Sequence, residues 1–177
     1  MIQTFPQKSN SIEMEISPSG NNLFDDGNGK LLGKSQAEYF HTIVVKAMYL
    51  SNRGRTDIQP TIAVLATRVI SPNIVDEKKW VRVLKYLNFT RKYHLKLIID
   101  DIRVIKWNVD TSFTVHPYFK SHAGRIMMWV TGVTQTGLMK QKLNTGFSTE
   151  VEVVGVDDMA SNILWTKLFI EDQGYNV

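Results

Sequence analysis

The chain has 177 residues, no Cys and a formal net charge of +4. With 43% hydrophobic residues it can bury a core, which excludes a wholly disordered chain; the lack of Cys excludes a disulfide scaffold, Cys-ligated zinc and a thiol nucleophile. No apolar run reaches the roughly 18 residues of a membrane span. Met1–Gln7 lacks the basic and apolar regions of a signal peptide, so an intracellular protein, cytoplasmic or nuclear and away from membranes, is expected.

Residues 1–34 are rich in Ser, Asn, Gly and Asp, and read as a loosely ordered lead-in anchored only by Leu23-Phe24 and Leu31-Leu32. A helical segment is expected over 35–93. Ser35, with Glu38 three residues on, has the spacing of a capping box. Phe40, Val44, Ala47 and Met48 follow at helical spacing until Ser51-Asn52-Arg53-Gly54. Asp57 is placed to cap a second helix through Ile62, Leu65 and Val69, with Pro60 confined to its first turn. A third helix is predicted from Asp76 to Leu87, with Trp80, Val83, Leu84 and Leu87 on one face and Lys78, Lys79, Arg82 and Lys85 on the other.

From residue 94 the period becomes that of strands. Strands are predicted over 94–99 and 102–109, the latter ending at Asp110, with Asp100-Asp101 as the turn between them. Pro117 and Gly124 are expected to bound a loop, with further strands over 125–131 and 137–143. Ser148 or Thr149 then caps a long helix to about Glu171, and Gly174 follows it. The order implies an α+β fold: an N-terminal helical segment, then an antiparallel sheet covered by a long helix.

The charge is uneven. Residues 78–142 hold 13 basic and 3 acidic residues, whereas residues 143–177 hold 1 basic and 6 acidic. A net +10 segment interleaved with aromatics is the electrostatic footprint expected for a polyanion, although a solvated basic helix followed by ordinary strands explains it equally well. Two carboxylate positions stand out. Asp110 closes an apolar strand, and Glu150 and Glu152 sit in the first turn of the last helix. Acids there complement the helix dipole. Alternatively, a strand carboxylate and a helix carboxylate converge on Mg²⁺, a hard cation that takes oxygen ligands.

Six strings, in order along the chain, resemble the C-terminal part of the polymerase polyprotein of copia-type LTR retrotransposons. They are Lys30-Leu31-Leu32-Gly33-Lys34 with Ala37-Glu38-Tyr39-Phe40-His41; Met48 through Ile58; Val83 through Thr90; Trp107-Asn108-Val109-Asp110-Thr111-Ser112-Phe113; Lys120-Ser121-His122-Ala123-Gly124; and Lys140 through Thr145 with Ser148 through Val154. The resemblance implies a reverse-transcriptase thumb or connection for 35–93 and a partial, truncated ribonuclease H-like domain for 94–177. By motif position Asp110 and Glu152 are the implied catalytic, metal-binding carboxylates. Lys79, Arg82, Lys120, Arg125, Lys140 and Lys142 are the implied contacts to phosphates. The implied partners are an RNA–DNA hybrid and the remainder of the polyprotein. Thr56, Thr111, Ala123 and Val151 depart from the family's strings, and its two later carboxylates have no counterpart here. Two readings follow: a reverse transcriptase/ribonuclease H fragment that is inactive alone, or a non-catalytic nucleic-acid-binding or assembly module that keeps only the scaffold.

Overall fold

The computed structural model describes residues 14–25, 27–98, 103–116, 120–129 and 132–177. Among these residues the fold is α+β, with four helices and a three-stranded antiparallel sheet. The helices are α1 (Lys34–Arg53), α2 (Gln59–Thr67, entered through a 3-10 turn at Thr56–Ile58), α3 (Ile74–Phe89) and α4 (Ser148–Asp172). The strands β1 (Ile105–His116), β2 (Lys120–Trp129) and β3 (Gly132–Lys140) form a meander in the order β1-β2-β3.

The first three helices share a core of Phe40, Val44, Ala47, Ile58, Ile62, Leu65, Trp80, Val83 and Tyr86. Their starts differ from the expected ones. At α1 the backbone N–H of Gly33 donates to Gln36 Oε1 at 3.3 Å, so Ser35 and Glu38 lie inside the helix rather than capping it. α3 begins earlier than Asp76, because Asn73 is its cap. Asn73 Oδ1 accepts from the backbone N–H groups of Val75 and Asp76, and Asp76 Oδ2 accepts from that of Asn73. This reciprocal arrangement satisfies donors that a helix start leaves open.

The lead-in is anchored, not loose, over its described residues. Ile74 N–H donates to Lys30 O, Leu32 N–H donates to Pro72 O, and Leu23 is buried. Phe24 lies against His122 of β2, with ring centroids 5.9 Å apart. Of the strand expected over 94–99, the described residues 94–98 carry no regular structure. Lys120–Gly124, expected to lie in a loop, instead opens β2 and pairs with β1. The Asp100-Asp101 turn and Pro117 lie outside the described residues. The last helix matches its predicted span closely, and Gly174 after it takes a left-handed φ of 89°.

α4 packs on one face of the sheet. Val151, Gly155, Met159 and Ile170 are buried toward it, together with Ala123 and Met127 of β2. The approach is closest at Gly155, where a Cβ would collide with Thr111 Cγ2 of β1. No described helix is long and apolar enough to cross a membrane.

Candidate nucleic-acid interface and carboxylate positions

Side chains alternate between the two faces of a strand. Val109 and Thr111 both face α4, since their methyl groups are the atoms a Cβ on Gly155 would meet. Asp110 between them therefore points to the opposite face. It is exposed there, opposite Gly124 in the β1–β2 register, and its Oδ1 accepts from the Thr111 backbone N–H at 3.0 Å. Glu152 is exposed on α4. The structure does not bring the two carboxylates together: they belong to opposite sides of β1. Glu150 has a local partner instead, as its Oε2 accepts from the Gly146 N–H at 2.8 Å and closes the loop into α4. Among the described residues, no three His, Cys, Asp or Glu side chains gather into a metal-binding group.

Three of the six cations expected to meet phosphates have work inside the fold. Lys79 is buried, and its ammonium donates to the carbonyls of Leu23 at 3.0 Å and Asp25 at 2.5 Å. Arg82 pairs with Glu15 at 2.7 Å and donates from Nε to Ser17 O. Both fasten the lead-in to α3. Arg125 projects between the sheet and α4. Its guanidinium occupies the space over Gly137, and Nη1 donates to Met159 Sδ at 3.2 Å. Lys142 is exposed just beyond β3. Lys120 and Lys140 begin and end described strands, but their side chains lie outside the described residues. The cations that do face solvent include Lys78 on α3 and Arg91, Lys92 and Lys96 after it. The solvated side of the basic segment is thus centred beyond the α3 C-terminus.

Lys79 gives a direct test. Lys79→Met should leave affinity for an RNA–DNA hybrid unchanged while lowering stability by about 1–3 kcal/mol, because the buried carbonyl of Leu23 and the partly buried one of Asp25 lose their donor. Limited proteolysis should then cut the lead-in faster. A loss of hybrid affinity without a loss of stability would return Lys79 to the interface.

Asp57 does not cap α2, whose N-cap is Ile58 without a side-chain bond; its carboxylate belongs instead to a polar network that joins the α1–α2 corner to the end of α3. Arg55 pairs with Asp57 at 2.7 Å. It also donates from Nη2 to Thr90 Oγ1 at 2.6 Å and from Nη1 to Thr90 O at 3.2 Å. Tyr86 donates its hydroxyl proton to Asp57 Oδ2 at 2.7 Å, and Arg55 lies over the Tyr86 ring, 5.5 Å from its centroid. Burial alone pushes the Asp57 carboxyl up, but hydrogen bonds from Arg55 and Tyr86 and the Arg55 charge outweigh it and hold the group below its ordinary value. Burial, followed by the bond to Asp57, raises the Tyr86 phenol. The bond to Asp57 raises Arg55 further, against the opposing effect of burial. Every member of this network bonds to another member, so its role is to hold the helices together. The Arg-x-Asp spacing at 55–57 was the visible sign; Tyr86 and Thr90 lie about 30 residues away.

No protein-family model, curated protein or solved structure matches this chain.

Proposed function

We propose that this chain is a nucleic-acid-binding segment of a copia-type retrotransposon reverse transcriptase/ribonuclease H polyprotein, keeping the scaffold and not the hydrolytic centre. The order of the six strings supports the origin, and the antiparallel meander followed by a long helix is compatible with a partial ribonuclease H-like domain. The observation that carries the non-catalytic reading is the alternation along β1. α4 closes on the Val109/Thr111 face and leaves Asp110 on the other. The ligand is the phosphate backbone of an RNA–DNA hybrid, met by the exposed cations after α3 and by Lys142. The rest of the polyprotein is the second partner, and supplies polymerisation and RNA hydrolysis.

The test is fluorescence anisotropy with a labelled hybrid across a salt series. Neutralising phosphates releases counterions, so the log of affinity should fall with the log of salt, with a slope of about −0.9 for each phosphate met. Lys92→Glu with Lys96→Glu should flatten that slope by about 2. With Mg²⁺ added, the RNA strand should stay intact. Asp110→Asn and Glu152→Gln should bind like the parent. Salt-insensitive binding would end the phosphate reading, and Mg²⁺-dependent cleavage abolished by Asp110→Asn would restore the enzymatic one.

A further inference from the structure

α4 leaves much apolar surface uncovered. Besides its buried residues, Val153, Val156, Leu164, Trp165, Leu168 and Phe169 are all exposed. Trp165 and Phe169 stack with ring centroids 5.2 Å apart and planes 10° from parallel, forming a flat aromatic plate. Contiguous exposed apolar surface marks an interaction site, and a rigid aromatic patch of this kind is the usual centre of a protein interface.

Charge decides what covers it. α4 carries six acids and a single base, Lys167, which already pairs with Glu171 at 3.7 Å. Pairing α4 with another α4 would set acid against acid. The segment after α3 has the opposite sign and its own exposed apolar groups. Phe89, Tyr93 and Leu97 are exposed there, among Arg91, Lys92 and Lys96.

Both surfaces lie at one end of the molecule. α4 passes Thr111 at Gly155 and Arg125 at Met159, so its later turns run toward the end where Ile105 pairs with Trp129. Leu97 abuts Gly132, which pairs with Trp129 at that same end. A two-fold axis there lets each copy give its acidic helix to the other's basic segment, the reciprocal arrangement of a closed symmetric dimer. We propose that two copies of this chain pair in this way, α4 of each on the 89–98 segment of the other, with Trp165 and Phe169 at the centre.

The hybrid-binding reading uses the same cations, so pairing and hybrid binding exclude one another at this segment. The test is solution mass by light scattering or sedimentation, with no nucleic acid present, so its outcome is separate from that of the hybrid-binding reading. At low salt the full chain should reach twice its 20.2 kDa mass, and raising the salt should weaken the dimer. Lys92→Glu with Lys96→Glu makes both surfaces acidic, and Asp157→Lys with Asp158→Lys and Asp172→Lys leaves α4 three acids against four bases, net basic like its partner surface. Each variant alone should run as a single chain, with dimer affinity reduced about tenfold or more. Their equimolar mixture should regain the doubled mass, because every contact is then complementary. Trp165→Ser with Phe169→Ser should dissociate the dimer and leave the far-ultraviolet spectrum unchanged, since both side chains are exposed. A parent chain that stays at single mass at every concentration, or doubled mass surviving in the Trp165/Phe169 variant, would overturn the proposal.

Discussion

Gly155→Ala should destabilise the protein by about 1–2 kcal/mol, although the same change in an exposed helix interior stabilises by up to ~1 kcal/mol through propensity. The reason is contact, since Gly155 is buried where α4 crosses β1. Its added methyl would collide with Thr111 Cγ2, and Val109 Cγ1 stands 3.6 Å from the same point. Thr111 is β-branched on a hydrogen-bonded strand, so its methyl cannot swing away at low cost. Overpacking a well-filled site costs about 1–3 kcal/mol and exceeds the propensity gain. Gly155→Val adds two more atoms and should lose about 2–3 kcal/mol, a fall in Tm of roughly 4–12 °C for a chain of this size. Thr111→Ser removes the offending methyl and should restore most of the Ala variant's stability, giving a coupling measurable in a double-mutant cycle. A rise in Tm for Gly155→Ala alone would show that α4 does not sit this close to β1.

Arg55→Ala should cost about 2 kcal/mol. The Asp57 side chain is 35% exposed, so solvent screens the ion pair and limits its share to under ~1 kcal/mol. The larger share is the loss of two donors to Thr90, which holds the end of α3 where residues 91–98 depart. The network also sets a pH dependence. The folded pKa of Asp57 lies below its ordinary 3.8, so the native state keeps the carboxylate at a pH where the unfolded chain takes up a proton. Its stabilisation is present above about pH 4 and is lost as pH falls through the depressed value. Tyr86 has the opposite sense: its folded pKa is raised above 10.0, so its contribution holds below pH 10 and is lost as pH climbs through the higher value. Denaturant midpoints should therefore drop at both extremes. Asp57→Asn should flatten the acidic limb specifically. An unchanged acidic limb in Asp57→Asn would remove Asp57 from the account.

The elements that the sequence showed best were those set by local spacing. α4 spans almost the predicted residues, although Phe147, without a side-chain cap bond, stands where Ser148 or Thr149 was expected to cap it, and Phe40, Val44 and Ala47 of α1 are core as their period predicted. Features set by distant partners were hidden. Lys79 reads as a member of a basic helix face until Leu23 and Asp25 fold back onto it, because those carbonyls lie more than 50 residues earlier. The pattern over 94–99 suits a strand, yet no ladder forms over its described residues, 94–98. Lys120–Gly124 resembled a loop because of its glycine, which in fact lies in the sheet between Asp110 and Leu138. The orientation of Asp110 was legible and passed over. Ile105, Trp107 and Val109 are the apolar set of β1, and Lys106, Asn108 and Asp110 the polar one. A helix packed on the apolar set turns the aspartate away.

The small contact between Phe24 and His122 bears on how the chain assembles. Leu23 is buried and its carbonyl receives the Lys79 ammonium, while its neighbour Phe24 rests on the sheet. One dipeptide thus touches the helical layer and the meander, across a loop of about 100 residues whose closure entropy must be overcome. On the ribosome Leu23 meets Lys79 well before β2 is made, whereas the seat of Phe24 on β2 exists only after nearly 100 more residues have been joined. The two halves of one dipeptide therefore find their places at different stages of synthesis.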